Sequence, residues 1–400
     1  MKTPIDIDAS HTANGLPPLT PEQQAHAAAC AAMLRAEIAA QGGWISFARF
    51  MEQALYAPGQ GYYAAGARKF GADGDFITAP EISPLFSACL ARCLTPAMHR
   101  PGAVLLELGP GSGILAEQML LALDTLDALP DEYLLLEVSA ELVERQQLRL
   151  SQLPAHLASR CRWIQTLPHA LTGAIVANEV LDVLPVHLIA YRDSQPVERG
   201  VALDGDAFIW QERRIASDDV RLLAERIGRE CFGGRPPEGY ITEVSPQAMA
   251  LTRTLVTSLK TGAALFIDYG FRRAEYYHAD RSSGTLMCHY RHFAHSDPFR
   301  FPGIQDITAH VDFSSIAQAG IEAGGTLMGY ATQAQFLLAA GIADLLTPSD
   351  PVDALAHLRT TRQAQRLLSP AEMGEFFKVI GFGAGGFSLP VFDSLRQLPL

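Results

Sequence analysis

The sequence lacks the features that mark three common classes of protein. Its six cysteines form no CxxC pair and no disulfide-like spacing, and no run of 18 apolar residues occurs. Lys and Arg number 31 against 43 Asp and Glu, without a dense basic stripe, so no nucleic-acid partner is expected. The first 20 residues hold neither an apolar signal core nor an Arg-rich amphipathic helix. These absences predict a reduced, cytoplasmic protein without a membrane span.

The composition instead predicts a large folded core. Of the 400 residues, 48% are hydrophobic, enough for one large domain with insertions or for two domains. Residues 1–19 are predicted to form a loose tail, and residues 20–100 an N-terminal helical segment. The first helix is expected to begin after Thr20, with Pro21 at its first position and Gln23 completing a capping box.

From Val104 onward, short apolar segments alternate with helical patterns. The apolar segments are AVLLEL, EYLLLEV, CRWIQT, GAIVANEV and GAALFIDYG. Alternating units of this kind build a parallel, doubly wound sheet in an α/β fold. We therefore assign residues 101–400 to a Rossmann-like core, with an inserted β-hairpin region at about 188–240 and a helical region at about 333–370. The segment FKVIGFG is a candidate closing strand.

The first strand runs into LELGPGSG, where Glu107 precedes Gly109, Gly111 and Gly113. The dinucleotide fingerprint GxGxxG would need glycine where Ile114 stands, so the glycines alone are a weak signal. A carboxylate two residues before the first glycine would repel a pyrophosphate, but it favours the ammonium and sulfonium of S-adenosylmethionine (SAM). The glycines would let the backbone approach this ligand without Cβ clashes. The segment therefore favours SAM over a nicotinamide cofactor.

Glu137 ends the next predicted strand. In doubly wound folds an acid at this strand end meets ribose hydroxyls, and a carboxylate can accept two hydrogen bonds from a cis-diol. Dinucleotide enzymes and SAM enzymes share this feature, so Glu137 does not discriminate between them. The alternative is that Glu107 and Glu137 are solvated acids that bind no ligand.

A third polar cluster follows the apolar strand GAIVANEV and comprises Asn178, Glu179 and Asp182. Two carboxylates at this strand end suit a cationic substrate, and a guanidinium offers them five N–H donors in a planar group. The alternative is a helix start, in which Asn178 caps the helix and Glu179 complements its dipole. If the cluster is catalytic, Glu179 is the first candidate and Asp182 the second to orient the acceptor nitrogen.

Five stretches, spanning roughly residues 45–330, resemble the MidA family of SAM-dependent methyltransferases. They are GQGYYAAGARKFGADGDFITAPEISPLF, LELGPGSG, NEVLDVLPVH, FIDYGF and QDITAHVDF. The resemblance implies a Rossmann-like methyltransferase core with SAM as cofactor. It also implies a protein arginine as methyl acceptor, which for the mitochondrial members lies on a subunit of respiratory complex I.

The resemblance implies roles for individual residues as well. It places the SAM loop at Glu107, Gly109, Gly111 and Gly113, the ribose contact at Glu137, and the mouth of methyl transfer at Asn178 and Glu179. It assigns an N-terminal motif, expected to close over the cofactor, to Asp75, Phe76, Thr78 and Pro80. Two other functions stay open: a SAM-binding assembly chaperone without turnover, and a nicotinamide oxidoreductase, which Glu107 and Ile114 disfavour.

Two further segments carry polar side chains. His289, His292 and His295 could share a helix face and bind a metal, but no acid or cysteine set completes a familiar site, so a substrate-facing loop is favoured. QDITAHVDF contains Asp306, which either belongs to the site or caps the helix that follows. No metal is expected.

Overall fold

The computed structural model describes residues 15–64, 77–346, 354–395 and 400. Within these residues the strands are β1 Trp44–Ser46, β2 Val104–Leu108, β3 Glu132–Leu136, β4 Cys161–Ile164, β5 Leu171–Asn178, β6 His187–Arg192, β7 Gln195–Asp204, β8 Ala207–Arg213, β9 Ile241–Val244, β10 Leu259–Phe271, β11 Met287–Tyr290, β12 Phe293–His295, β13 Asp306–Thr308, β14 Val311–Asp312, β15 Thr326–Thr332 and β16 Phe377–Ala384.

The helices of the same residues follow in chain order. They are α1 Pro21–Ala40, α2 Phe47–Tyr56, α3 Ala79–Ile82, α4 Pro84–Met98, α5 Ile114–Thr125, α6 Ala140–Leu150, α7 Ala155–Ala158, α8 Asp218–Phe232, α9 Pro246–Ser258, α10 Arg273–Tyr276, α11 Phe313–Glu322, α12 Gln333–Ala339, α13 Ile342–Leu346, α14 Ala354–Leu368 and α15 Met373–Phe376. Helix α1 begins as predicted, because the Thr20 side chain accepts the Gln23 N–H and Pro21 takes the first position.

The main sheet has the order β15-β16-β10-β5-β2-β3-β4. Strands β10, β5, β2, β3 and β4 pair in parallel. Consecutive residues of β2 enter different cores: Leu105 packs with α4 and α5 on one face, and Leu106 packs with α9 and α11 on the other. Burial on both faces explains why these strands are apolar throughout. The predicted doubly wound α/β class is confirmed.

The main sheet is mixed, because antiparallel strands extend the five parallel ones. Strand β16 runs antiparallel to both β10 and β15. The physical reason lies in the connection from β15 to β16, because Thr332 at the end of β15 pairs with Lys378 near the start of β16. The end of β15 and the start of β16 therefore lie at the same end of the sheet, so β16 runs in the direction opposite to β15. The predicted closing strand FKVIGFG is this strand.

A second, smaller sheet contains the predicted hairpin region. Strands β6, β7 and β8 are successive antiparallel neighbours, β9 pairs with β6, and helix α8 follows β8. Strand β1 from the N-terminal segment joins the same sheet, with Trp44 opposite Ala202. Helix α2 packs on it, through Phe47 and Phe50. The domain boundaries themselves stay a prediction.

Strands β11, β12 and β13 form a third sheet, with β11 in the centre. The helical region predicted at 333–370 contains α12, α13 and α14, and its residues 347–353 lie outside the described part of the chain. Among the described helices, none combines the length and apolar character needed to cross a membrane.

Candidate active site

A cavity of about 630 Å³ lies at the carboxyl ends of β2, β3 and β5, where their following turns meet. Polar side chains and glycines from all three turns border it, including Glu107, Gly109, Gly111, Glu137, Asn178 and Glu179. The carboxyl edge of a parallel sheet is where ligands bind in doubly wound folds, and the volume is within the range of small-molecule sites. The structure thus brings together most residues of the three clusters predicted from the sequence.

The glycine turn needs glycine for its backbone conformation. Gly109, Gly111 and Gly113 have φ values of 58°, 54° and 76°, in the left-handed region that disfavours residues with a Cβ. A Cβ on Gly109 would also lie 3.2 Å from the Val180 side chain. Gly113 is placed differently from the other two: it caps α5 and packs against Gln146, outside the set that borders the cavity.

Glu107 is almost fully buried, with 2% exposure, and accepts a hydrogen bond of 2.7 Å from the Tyr133 hydroxyl. Burial raises the pKa of Glu107 to about 7, against the lowering effect of Tyr133, and the nearby Glu137 charge adds to the rise. Because the carboxylate borders the cavity, a cationic ligand there would stabilise its ionised form and lower this pKa.

Glu137 is held rigidly from two sides. Its carboxylate accepts the Ser139 N–H at 2.9 Å and the Gln146 side-chain amide at 3.1 Å. Gln146 also donates to Gly111 O at 2.9 Å and accepts from the Trp163 indole at 2.9 Å. Sequence reasoning missed Gln146, although it is a buried polar residue on α6 between the buried Leu142 and Leu150. A polar residue at that spacing on an apolar helix face was the available signal.

Residues 179–186, all of which the structure describes, form turns that lead into β6 and contain no helix. The alternative in which Asn178 caps a helix and Glu179 complements its dipole was therefore wrong. Glu179 has a φ of 54°, and its N–H donates to Ile267 O at 2.9 Å. The Asn178 amide donates to the Glu179 carboxylate at 3.1 Å. Burial and the neighbouring Asp182 raise the pKa of Glu179 to about 8.

Asp182 lies behind the cavity wall rather than on it. It is 4% exposed, accepts the Tyr269 hydroxyl at 2.7 Å and is absent from the described residues that border the cavity. Burial raises the pKa of Asp182 to about 6. This placement does not support the prediction that Asp182 contacts the acceptor directly. It fits a role in positioning the turn that carries Glu179.

The described part of the N-terminal motif reaches the cavity. Thr78 and Pro80 border it, whereas Asp75 and Phe76 lie outside the described residues. Glu81, in the following helix α3, accepts the Ser112 hydroxyl at 3.3 Å. The Ala79 backbone hydrogen bond to Glu179 lowers the pKa of that carboxyl, against the larger effect of burial. Helix α3 therefore links the glycine turn to the turn that carries Glu179.

The histidine segment does not form a helix. His289 lies on β11, His295 on β12 and His292 in the hairpin turn between them, so the alternative of a shared helix face was wrong. The favoured interpretation as a substrate-facing segment stays a prediction. No cluster of metal-binding side chains occurs among the described residues. Asp306 accepts the Tyr63 hydroxyl at 3.1 Å, and the cap of α11 is Asp312 instead, so the capping interpretation of Asp306 was also wrong.

Comparisons with known proteins decide the family. Residues 89–331, more than half of the chain, match the family model described as "Putative S-adenosyl-L-methionine-dependent methyltransferase". The chain belongs to this family, MidA. The family prediction is confirmed, and so is its cofactor, S-adenosylmethionine.

Relatives of this MidA protein cover most of its length. "Protein arginine methyltransferase NDUFAF7, mitochondrial" of Xenopus laevis is 28% identical over 84% of this chain and 80% of its own length. The Mus musculus protein of the same name is 30% identical over 68% and 65%. A crystal structure of a COG1565 superfamily member from Burkholderia thailandensis bound to S-adenosyl-homocysteine shares 48% identity, with a TM-score of 0.89, over 96% of this chain and 98% of that one.

The residues present fit SAM. The glycine turn leaves open backbone beside the cavity, the fixed Glu137 carboxylate can accept ribose hydroxyls, and the buried Glu107 favours a cation. These three residue roles stay predictions of the MidA site, and their placement around one cavity agrees with them.

Proposed function

We propose that the protein is a protein arginine N-methyltransferase. The observation that carries the proposal is the position of Glu179, a carboxylate that borders the same cavity as the glycine turn. The names of the mitochondrial relatives support arginine as the acceptor. A carboxylate can accept hydrogen bonds from a guanidinium and balance its charge.

The chain's own residues would align the acceptor and receive its proton. SAM supplies an electrophilic methyl group on a sulfonium, and the products are methylated arginine, S-adenosylhomocysteine and one proton. Glu179 would accept N–H bonds from the guanidinium so that one nitrogen lone pair faces the methyl carbon. When that nitrogen forms its new bond, the carbon–sulfur electron pair returns to sulfur, and the nitrogen's proton passes to Glu179 and then to water. Burial raises the pKa of Glu179 to about 8, and a guanidinium beside it would lower that pKa and stabilise the carboxylate form that accepts the N–H bonds.

The partner we propose is a protein that presents an arginine side chain. The resemblance to the mitochondrial members makes a respiratory complex I subunit the first candidate, and the cytoplasmic location inferred from the sequence stays a prediction. The proposed test incubates the purified chain with methyl-labelled SAM and an extract of cells that lack the gene, followed by amino-acid analysis of the labelled protein. Label in methylarginine is expected. Label in lysine or in small molecules would contradict arginine, and SAM binding without transfer would favour the assembly chaperone.

A further inference from the structure

The cavity is bordered not only by the methyltransferase sheet but also by residues from helix α2 and the turn after it. Glu52 and Tyr56 from α2 and Tyr63 from the turn border the same cavity as Glu179. Glu52 and Tyr56 are four residues apart and therefore lie on one face of the helix. None of the three was a candidate from the sequence, and none belongs to the glycine turn or to the strand ends predicted to bind the cofactor.

The local sequence fixes the two tyrosines against each other. After α2 ends, the chain folds back so that Tyr62 N–H donates to Ala54 O at 2.9 Å and Tyr63 N–H to Leu55 O at 2.8 Å. Gly61 permits this reversal, because a Cβ there would lie 2.5 Å from the Tyr56 backbone nitrogen. As a result, the rings of Tyr56 and Tyr63 stack with centroids 5.5 Å apart and an angle of 18° between planes.

The hydroxyl groups of this pair are engaged inside the protein. Tyr56 donates to Val183 O at 2.9 Å, and Tyr63 donates to the Asp306 carboxylate at 3.1 Å. Both residues are partly exposed and border the cavity, and because their hydroxyl groups are engaged, the rings are the part of each side chain left to contact a ligand. Burial, followed by the Asp306 charge, holds the pKa of both tyrosines well above its usual range, so both rings stay neutral.

The surroundings of the pair are acidic. The carboxyl groups that act on the two tyrosines include Asp182 and Asp306, and Glu179 borders the cavity beside them. Glu52 adds a partly exposed carboxylate, which shares Arg49 with Glu37 through ion pairs of 2.8 Å and 2.9 Å. Neutral aromatic rings within a group of carboxylates attract a cation through the ring quadrupole and through charge.

We propose that Tyr56, Tyr63 and Glu52 form the acceptor-binding wall of the cavity and select a planar, delocalised cation such as a guanidinium. This inference rests on the proposed function and deepens it. A guanidinium stacks on an aromatic ring while its edge bonds a carboxylate, whereas the compact, strongly hydrated ammonium of lysine does so less well. The wall would therefore contribute to the choice of arginine over lysine, and Glu179 to the alignment of the reacting nitrogen.

The first test removes the rings. Tyr56→Leu and Tyr63→Leu are each expected to weaken binding of N-acetyl-arginine amide to the protein saturated with S-adenosylhomocysteine, by about 3-fold to 30-fold in NMR titrations. Tyr56→Phe, which keeps the ring and loses the bond to Val183, is expected to recover most of that loss. Affinity for S-adenosylhomocysteine, measured by calorimetry on each variant, should change less than twofold and would show that the cavity is intact.

The second test removes charge without altering the rings. Glu52→Gln is expected to weaken arginine amide binding about 2-fold to 5-fold at low salt, with a smaller effect at 0.5 M salt because of screening. Glu37→Gln is the matched control, because Glu37 shares the same Arg49 partner but does not border the cavity, and it should leave binding unchanged. Equal effects of the two substitutions would overturn the role of Glu52.

Failure of the wall and failure of the proposed function give different results. If leucine at both tyrosine positions leaves arginine amide binding unchanged while the fold and S-adenosylhomocysteine binding persist, the wall is wrong, whatever the labelled product is. If the labelled product is not methylarginine, the proposed function is wrong.

N-acetyl-lysine amide is expected to bind wild-type protein more weakly than the arginine amide, and equal binding would contradict the selection of a planar cation. If Tyr56→Leu or Tyr63→Leu does not fold, methionine at the same position, Tyr56→Met or Tyr63→Met, takes its place, with the same expected loss.

Discussion

Glu179 combines three unusual properties at one position of the cavity. Its backbone is left-handed, its carboxyl pKa is raised to about 8, and its carboxylate bonds the neighbouring Asn178 amide. A left-handed residue other than glycine persists only where its surroundings fix it, and such residues cluster at active sites. Here the bond from the Glu179 N–H to Ile267 O fixes the backbone to β10.

Glu179→Gln should separate an enzyme from a scaffold. Glutamine keeps the size of the side chain but can neither balance a guanidinium charge nor take its proton. We expect kcat for methyl transfer to fall about a hundredfold or more, while SAM affinity stays within a few-fold of wild type. Single-turnover transfer and calorimetry measure the two quantities. Glu132→Gln, at the opposite end of the sheet, is the control, and wild-type turnover in Glu179→Gln would remove Glu179 from the mechanism.

The raised pKa of Glu179 predicts how stability depends on pH. Its folded pKa of about 8 exceeds the ordinary value of 4.5, so the folded state binds more protons than the unfolded state between these values. The stability that this group contributes is therefore fully present below about pH 4.5 and is lost as pH rises through 8. We expect Glu179→Gln to gain stability relative to wild type from pH 5 to pH 8, by on the order of 1–3 kcal/mol. Parallel chemical denaturation curves measure the difference, and a constant difference across this range would contradict it.

At the scale of elements, the turn after β5 is pinned to β10 by one carboxylate. Asp268 is fully buried, and it accepts the N–H groups of Leu181 at 2.9 Å, Asp182 at 3.2 Å and Tyr269 at 2.9 Å. Burial, followed by the charges of Asp182 and Glu179, raises its pKa, whereas the three N–H groups favour its ionised form. Asp268 is thus a positioning residue that holds the turn carrying Glu179.

Asp268→Asn should misplace that turn. Both carboxylate oxygens of Asp268 accept backbone N–H groups, so the NH2 of asparagine would place a donor against at least one of these donors. We expect kcat to fall at least tenfold with SAM affinity little changed, and stability to fall by about 1–3 kcal/mol. Glu243→Gln is the matched control. Glu243 is another buried carboxylate that accepts two backbone N–H groups, of Thr285 and Leu286, but it does not border the large cavity. A similar loss of stability without loss of kcat is expected in the control, and equal kcat losses would show that destabilisation alone explains the effect.

At the scale of the whole molecule, the cavity joins two structural layers. The main sheet supplies the glycine turn and the carboxylates of Glu107, Glu137 and Glu179. Helix α2, which packs on the small sheet, supplies Tyr56, and the turn after α2 supplies Tyr63. Pairing of β1 with β7 holds α2 in this place. The residues that bind the cofactor and those proposed to bind the acceptor lie on different layers. Substitutions can therefore alter acceptor binding without altering cofactor binding.

SAM and S-adenosylhomocysteine should raise the free energy of unfolding of the whole chain, whereas NAD should not. SAM or S-adenosylhomocysteine at a hundred times its dissociation constant should add about 2.7 kcal/mol, or ~3 °C in Tm for a chain of this size. NAD should give no shift, because Glu107 opposes a pyrophosphate. Gly111→Val should abolish the shift, since a β-branched residue cannot easily adopt the φ of 54° at that position. Melting curves with each ligand make the measurement, and a shift with NAD equal to that with SAM would refute the cofactor assignment at this turn.

Features of the fold and site that depend on local pattern can be located in the sequence. Strand ends at Glu107, Glu137 and Asn178 could be located from apolar runs, and parallel pairing then places them at one edge, as the structure shows. The capping box at Thr20 and the left-handed glycines at 109 and 111 are likewise encoded by neighbouring residues. These features need no knowledge of the rest of the chain.

The residues that complete the cavity, and those that only support it, could not be located before the packing of distant elements was known. Asp182 stands three residues from Glu179, yet the bond from the Tyr269 hydroxyl and the bond of its own backbone N–H to Asp268 hold it away from the cavity surface. Tyr56 and Tyr63 reach the cavity because β1 pairs with a strand more than 150 residues later in the chain. Contacts between residues so far apart leave no periodic trace in the sequence, because they depend on how whole layers pack.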